Sequence, residues 1–109
     1  ILIFDSCLAG GMTDLVATGR VIVMASTERG LSYESSTLEN GVFTYYLVEK
    51  GIYAGLADVY DHDSDSALKE PDDVVIEEAF DYAKLKLEEY TSKRQKPTAS
   101  DQFENDLLP

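Results

Sequence analysis

Two short apolar runs, Ile1-Leu2-Ile3-Phe4 and Val21-Ile22-Val23-Met24-Ala25, constrain this chain more than any other feature. Neither alternates apolar with polar residues. An antiparallel strand with one wet face would alternate, whereas a strand covered on both faces reads as continuous. Both runs are therefore expected to be strands of a parallel sheet flanked by helices. Each ends in small polar residues, Asp5-Ser6-Cys7 and Ser26-Thr27. Gly10-Gly11 breaks the segment after the first strand, and residues 14–16 suggest one short helical turn. A chain of 109 residues supports one domain at most. It begins inside an apolar run and without Met, and so apolar a strand wants neighbours on both sides. The expectation is the C-terminal piece of a larger domain.

Residues 27–40 are polar and read as a loop. Val42 to Val48 includes Phe43, Tyr45, Tyr46 and Leu47, which predicts a buried helix over 41–50 with Gly51 as its stop. An acidic stretch follows at residues 58–73. Beyond it, Ile76, Ala79, Phe80, Ala83, Leu87 and Tyr90 recur at intervals of three and four, predicting one apolar stripe on a helix over 75–93. Asp72 or Asp73 is placed to cap it. Glu77-Glu78 suit the positive end of its dipole, and Lys93-Arg94 the negative end. Leu107-Leu108 is expected to add a short final strand. Strands followed by helices in this order give an α/β fold.

Charge narrows the function. Nine Lys and Arg face 21 Asp and Glu, for a formal net charge of -12. Nucleic acid and anionic membrane surfaces call for the opposite sign. No apolar run approaches the ~20 residues of a membrane-spanning helix. One Cys excludes an internal disulfide and a zinc site built on several Cys, and one His limits imidazole chemistry.

Cys7 stands just past the C-terminal end of the first strand, where open α/β sheets hold ligands. From the residues alone it is either a small buried hydrophobe or a thiol nucleophile served by nearby backbone N–H groups. Gly10-Gly11 would let the backbone approach a substrate closely.

The segment Asp5-Ser6-Cys7-Leu8-Ala9-Gly10-Gly11, behind its apolar run, resembles the nucleophile strand of the caspase-like cysteine peptidases. The bacterial and metacaspase-type members carry Asp-x-Cys-x-Ser-Gly at this place. Val21 to Glu28 followed by Leu31-Ser32-Tyr33-Glu34 looks like the next strand and the specificity-pocket loop. Asn40 to Leu47 looks like the helix entry that follows, and Ile76-Glu77-Glu78-Ala79-Phe80 with Gln95-Lys96-Pro97 like the last helix and the tail after it. The set spans nearly the whole chain in order. Ala9 and Leu8 depart from the usual Ser and from His or Phe, and the Gln-Ala-Cys-x-Gly signature of animal caspases is absent.

The resemblance implies the C-terminal half of a caspase-like three-layer α/β/α sandwich with a mostly parallel sheet, filling residues 1–109. Its function would be that of a cysteine endopeptidase acting on peptide or protein substrates. Cys7 would be the nucleophile, and its backbone N–H an oxyanion donor. The general base would be a His preceding Ile1, in an N-terminal half that acts as partner to this one. His62 follows the Cys and does not take that role, so the piece alone is expected to be inactive. Asp5, Glu34 and Glu28 would line the primary pocket and favour Arg or Lys through charge-assisted hydrogen bonds. Asn preference of the legumain kind is the rival specificity, and a catalytically inactive scaffold of the same fold is the rival function.

No cofactor is required. Asp61, Asp63 and Asp65 alternate like the first ligands of a calcium loop, with Glu78 as the bidentate ligand if residues between them bulge outward. Ser66 stands where a calcium loop has Gly, and Asp72 where it has Glu. A solvated acidic loop is the alternative.

Overall fold

The structure, a computed structural model, describes residues 1–58 and 73–109. Its centre is strand β2, Val21–Met24, in which all four residues are buried. Strand β1, Leu2–Phe4, pairs with β2 in parallel, Ile3 opposite Val23. Both strands stand where the apolar runs predict them, but β1 is not covered on both faces: Ile3 is exposed and Leu2 and Phe4 are half-buried. The crossover between them carries a 3₁₀ helix, Ala9–Leu15, longer than the single turn expected.

The sheet has a third strand that the sequence does not announce. Thr98–Asp101 pairs antiparallel on the other side of β2, giving the order β1, β2, Thr98–Asp101. The described sheet is therefore mixed, one parallel and one antiparallel pairing, where a mostly parallel sheet is expected. Leu107-Leu108 forms no strand. Leu107 instead packs on the main core, its carbonyl accepting the Ile76 N–H at 2.9 Å and its N–H donating to Glu77 Oε2 at 3.1 Å.

The region read as a loop over 27–40 holds a small ribbon, β3 (Glu34–Ser35) against β4 (Asn40–Gly41). From β4 the chain runs directly into α1, Val42–Thr44, which opens into wider π-type turns over Tyr45–Tyr53. Phe43, Leu47 and Gly51, four residues apart, face the core. The predicted burial over 41–50 is incomplete: Val48 is exposed, and Tyr45 and Tyr46 are half-buried. Gly51 is not the stop. It lies inside the helical run, which ends before Gly55 in the left-handed region at φ 70°.

Helix α2, Ile76–Tyr90, is the predicted amphipathic helix, three residues shorter at its C-terminal end. Ile76, Ala79, Phe80, Ala83 and Leu87 are buried, as their spacing requires, while Tyr90, the last of the predicted stripe, is exposed. They pack with Val42, Phe43 and Leu47 on Val21, Val23 and Ala25 of the sheet. The opposite face carries a smaller cluster of Ile22, Met24 and Ala9 with Leu2, Phe4 and Leu15. The molecule is a compact α/β domain with a radius of gyration of 13.1 Å, as expected for about 100 residues. Helix α2 begins after Val75, whose N–H is taken by the Glu78 carboxylate at 3.1 Å rather than by an upstream Asp cap. Asp73 is exposed, and Asp72 lies outside the described residues. Among the described residues no helix is long and apolar enough to cross a membrane.

Candidate active site

Three residues from two segments line one open cleft of about 520 Å³: Asp5 and Cys7 from the end of β1, and Glu34 from the start of β3. Ser6, Ser32, Tyr33 and Gly41 complete its lining.

The position of Cys7 follows from the way β1 ends. Leu8 takes a left-handed conformation, φ 62°, so the chain turns sharply into the 3₁₀ helix and leaves the thiol outside. Such a conformation is costly for a side chain with a Cβ. It persists because the turn is tied on both sides. The Leu8 N–H donates to Gly30 O at 2.9 Å. Ser26, fully buried at the end of β2, donates its hydroxyl to Ser6 O at 3.0 Å and accepts the Ala9 N–H at 3.1 Å. One hydroxyl thus closes the turn around the Cys. Gly10 completes the fit, since a Cβ there would collide with the Thr27–Glu28 peptide. Gly10 therefore admits the chain's own backbone and is not turned to a substrate.

Cys7 is exposed, which removes the buried-hydrophobe reading. Its sulfur accepts the Ser32 N–H at 3.2 Å and can donate to Ser32 O at 3.5 Å. Its own backbone N–H has no acceptor among the described residues. The structure thus offers an accessible thiol beside a free amide donor. This is the pairing that acyl transfer requires of a nucleophile and one arm of an oxyanion hole.

Asp5 reaches the cleft, but its carboxylate already serves the chain. Oδ1 accepts the Ser32 hydroxyl at 2.8 Å, and Oδ2 accepts the Thr44 N–H at 3.1 Å together with the Thr44 hydroxyl. These bonds tie the end of β1 to the last residue of α1 and to the loop opposite. Gly41 passes so close to Asp5 that a Cβ there would strike the carboxylate. A carboxylate offers about four acceptor sites, so Asp5 keeps room for a further donor. The exposed Glu34 carboxylate has no partner among the described residues and is the freer acid of the cleft. Glu28 is exposed but sits beside Gly11, its Cγ 4.0 Å from a Cβ built there, and does not line the cleft.

Of the possible calcium ligands only Glu78 lies among the described residues. Asp61, Asp63 and Asp65 lie outside the described residues, as does His62. Glu78 is fully buried in the first turn of α2, where it accepts the Val75 N–H. Among the described residues no group of three His, Cys, Asp or Glu is placed to hold a metal ion.

Sequence reasoning passed over Ser26 and Thr44, which hold the turn around Cys7 and the Asp5 carboxylate. Both are ordinary hydroxyl residues in segments identified for other reasons. Comparison with models of known families, with curated proteins and with solved structures returned no match.

Proposed function

We propose that this chain carries the nucleophile and specificity cleft of a caspase-like cysteine endopeptidase that cleaves after Arg or Lys. The single observation that supports this most is the exposed Cys7 thiol, beside its unoccupied backbone N–H, in one cleft with Asp5 and Glu34. In this reading the Cys7 sulfur attacks the scissile carbonyl carbon as a thiolate. The carbonyl oxygen takes the negative charge and is held by the Cys7 N–H. The amine leaves with a proton from a general acid, and water then hydrolyses the thioester. The described residues contain no histidine, so the proton-handling imidazole comes from outside them. A guanidinium or ammonium group in the cleft would meet Glu34 first and Asp5 on its remaining acceptor site.

The surrounding fold belongs to the proposal as well. A parallel β1–β2 pair with the thiol at the C-terminal end of β1 is the arrangement expected of the nucleophile half of a caspase-like sandwich.

A panel of fluorogenic peptides differing only in the residue before the scissile bond tests this reading, used on a protein that joins this chain to its histidine-bearing partner segment. Preference for Arg or Lys, lost in Cys7→Ala, is the expected result. Preference for Asn would move the specificity to the rival class. Absence of hydrolysis with every peptide would refute the peptidase reading and leave a scaffold of the same fold.

A further inference from the structure

Gln95 is fully buried, a position that a polar side chain of its size holds only when its hydrogen bonds are met. Two of them go to Ser32 and Tyr33, which line the cleft, and one to Ala25 just past the end of β2. Its Oε1 accepts the Tyr33 N–H at 2.9 Å. Its Nε2 donates to Ala25 O at 2.9 Å and to Ser32 Oγ at 3.2 Å. The amide orientation is dictated by these partners: reversed, the NH₂ would face the Tyr33 N–H and the oxygen would face the Ala25 carbonyl. The Gln95 backbone is anchored in turn, its N–H donating to Thr91 Oγ1 at 3.1 Å, while the Thr91 hydroxyl donates to Leu87 O at 2.8 Å.

One amide therefore connects the end of β2, the end of α2 and the Ser32-Tyr33 segment. That segment carries the cleft's internal contacts: the Ser32 N–H on the Cys7 sulfur, the Ser32 hydroxyl on Asp5, and Glu34 one residue beyond Tyr33. An apolar side chain of equal volume would fill the same space and make none of these links.

We propose that Gln95 is a positioning residue that sets the distance between the nucleophile turn and the opposite wall of the cleft. It holds Ser32 on the Cys7 sulfur and fixes where Glu34 stands. Its role in catalysis rests on the peptidase reading above, but its role in holding the wall does not.

The test uses the ¹⁵N-labelled chain with Gln95→Met. Amide exchange at Ser32 and Tyr33 is expected to rise roughly tenfold, the scale of one lost hydrogen bond. Amides in the middle of β2 and α2 should change by less than about threefold. Alkylation of Cys7 with iodoacetamide should shift the Ser32 amide resonance in the unaltered chain and leave it in place in the variant. Unchanged protection at Ser32 and Tyr33 would overturn the proposal, as would an equal rise throughout β2 and α2, which marks mere packing. If Gln95→Met does not fold, Ser32→Ala removes the hydroxyl that takes the Gln95 Nε2–H and binds Asp5, and Asp5→Ala removes the second of these links alone. Ser32→Ala should speed exchange of the residue-32 amide more than Asp5→Ala does and spare Tyr33, and equal exchange of that amide in the two variants overturns the proposal. In a peptidase complete with its histidine, Gln95→Met should lower kcat/KM for Arg peptides about tenfold. A complete but inactive unmutated protein counts against the peptidase reading alone, and the exchange data still judge Gln95.

Discussion

Replacing Ser26 by Ala removes one oxygen atom from the interior and should unsettle the turn that presents Cys7. The hydroxyl is fully buried and makes two hydrogen bonds, to Ser6 O at 3.0 Å and from the Ala9 N–H at 3.1 Å. The two losses differ in weight. Ser6 is exposed, so its carbonyl can turn to water, and that bond contributes about 0.5–1.5 kcal/mol. Ala9 is 2% exposed, so its N–H is stranded, at a cost of about 1–3 kcal/mol. The sum centres on about 3 kcal/mol. A urea denaturation slope near ~1.5 kcal/mol/M suits a domain of this size. The midpoint should therefore fall by roughly 2 M. Ser36→Ala, at an exposed loop position, is the control and should stay within about 0.5 kcal/mol of the unaltered chain. If Ser26→Ala unfolds at the same urea concentration as the control, the turn does not depend on this hydroxyl, and the account of how Cys7 is presented fails.

Two further outcomes follow from neighbouring contacts. Gly41 has ordinary backbone angles, φ -57° and ψ 137°, so Gly41→Ala meets its difficulty only in the Asp5 carboxylate. It should cost about 1–3 kcal/mol alone and much less beside Asp5→Ala, a coupling that a double-mutant cycle of urea midpoints measures; strict additivity would contradict the contact. Burial foremost, then the phenols of Tyr45, Tyr90 and Tyr82 and the carboxylate of Glu89, raise the Tyr46 phenol above its ordinary 10.0. The folded chain thus keeps this proton to higher pH than the unfolded chain. The Tyr46 contribution is complete below about pH 10 and is lost as pH rises through the folded value. Tyr46→Phe should make the alkaline fall in urea midpoint shallower, and identical slopes would refute the assignment.

The elements legible in the sequence were those whose physics repeats along the chain. β2 is buried on both faces, so nothing but apolar residues suits it, and the run shows directly. α2 shows its buried side at every third or fourth residue. Thr98–Asp101 escaped because an edge strand needs only a ladder partner. Ala99 and Asp101 are exposed, and no apolar signal marks the segment. The hairpin at Glu34–Gly41 is two residues on each side, below any periodicity. Glu77 and Glu78 read as surface charge near a helix start, yet both are buried where the Leu107 segment covers the first turn of α2. In the site, Asp5, Cys7 and Glu34 came from the order of motifs, and the fold brings them to one cleft. Ser26, Thr44 and the amide roles of Gln95 could not be read, since a single hydroxyl or amide acquires meaning only from what the fold sets against it.

The contacts that shape the cleft join residues far apart along the chain. Cys7 meets Ser32 across 25 positions, Asp5 meets Thr44 across 39, and Ala25 meets Gln95 across 70. Each closes a long loop, and the entropy of loop closure falls due before the contact gives anything back. α2 can begin from neighbouring residues, but the sheet pairs Leu2 with Ile22 and Val21 with Asp101, and the cleft exists only once both ends of the chain have met around β2. The Ser32 N–H on the Cys7 sulfur and the acidic wall across from it are thus properties of the closed chain, and no single element carries them.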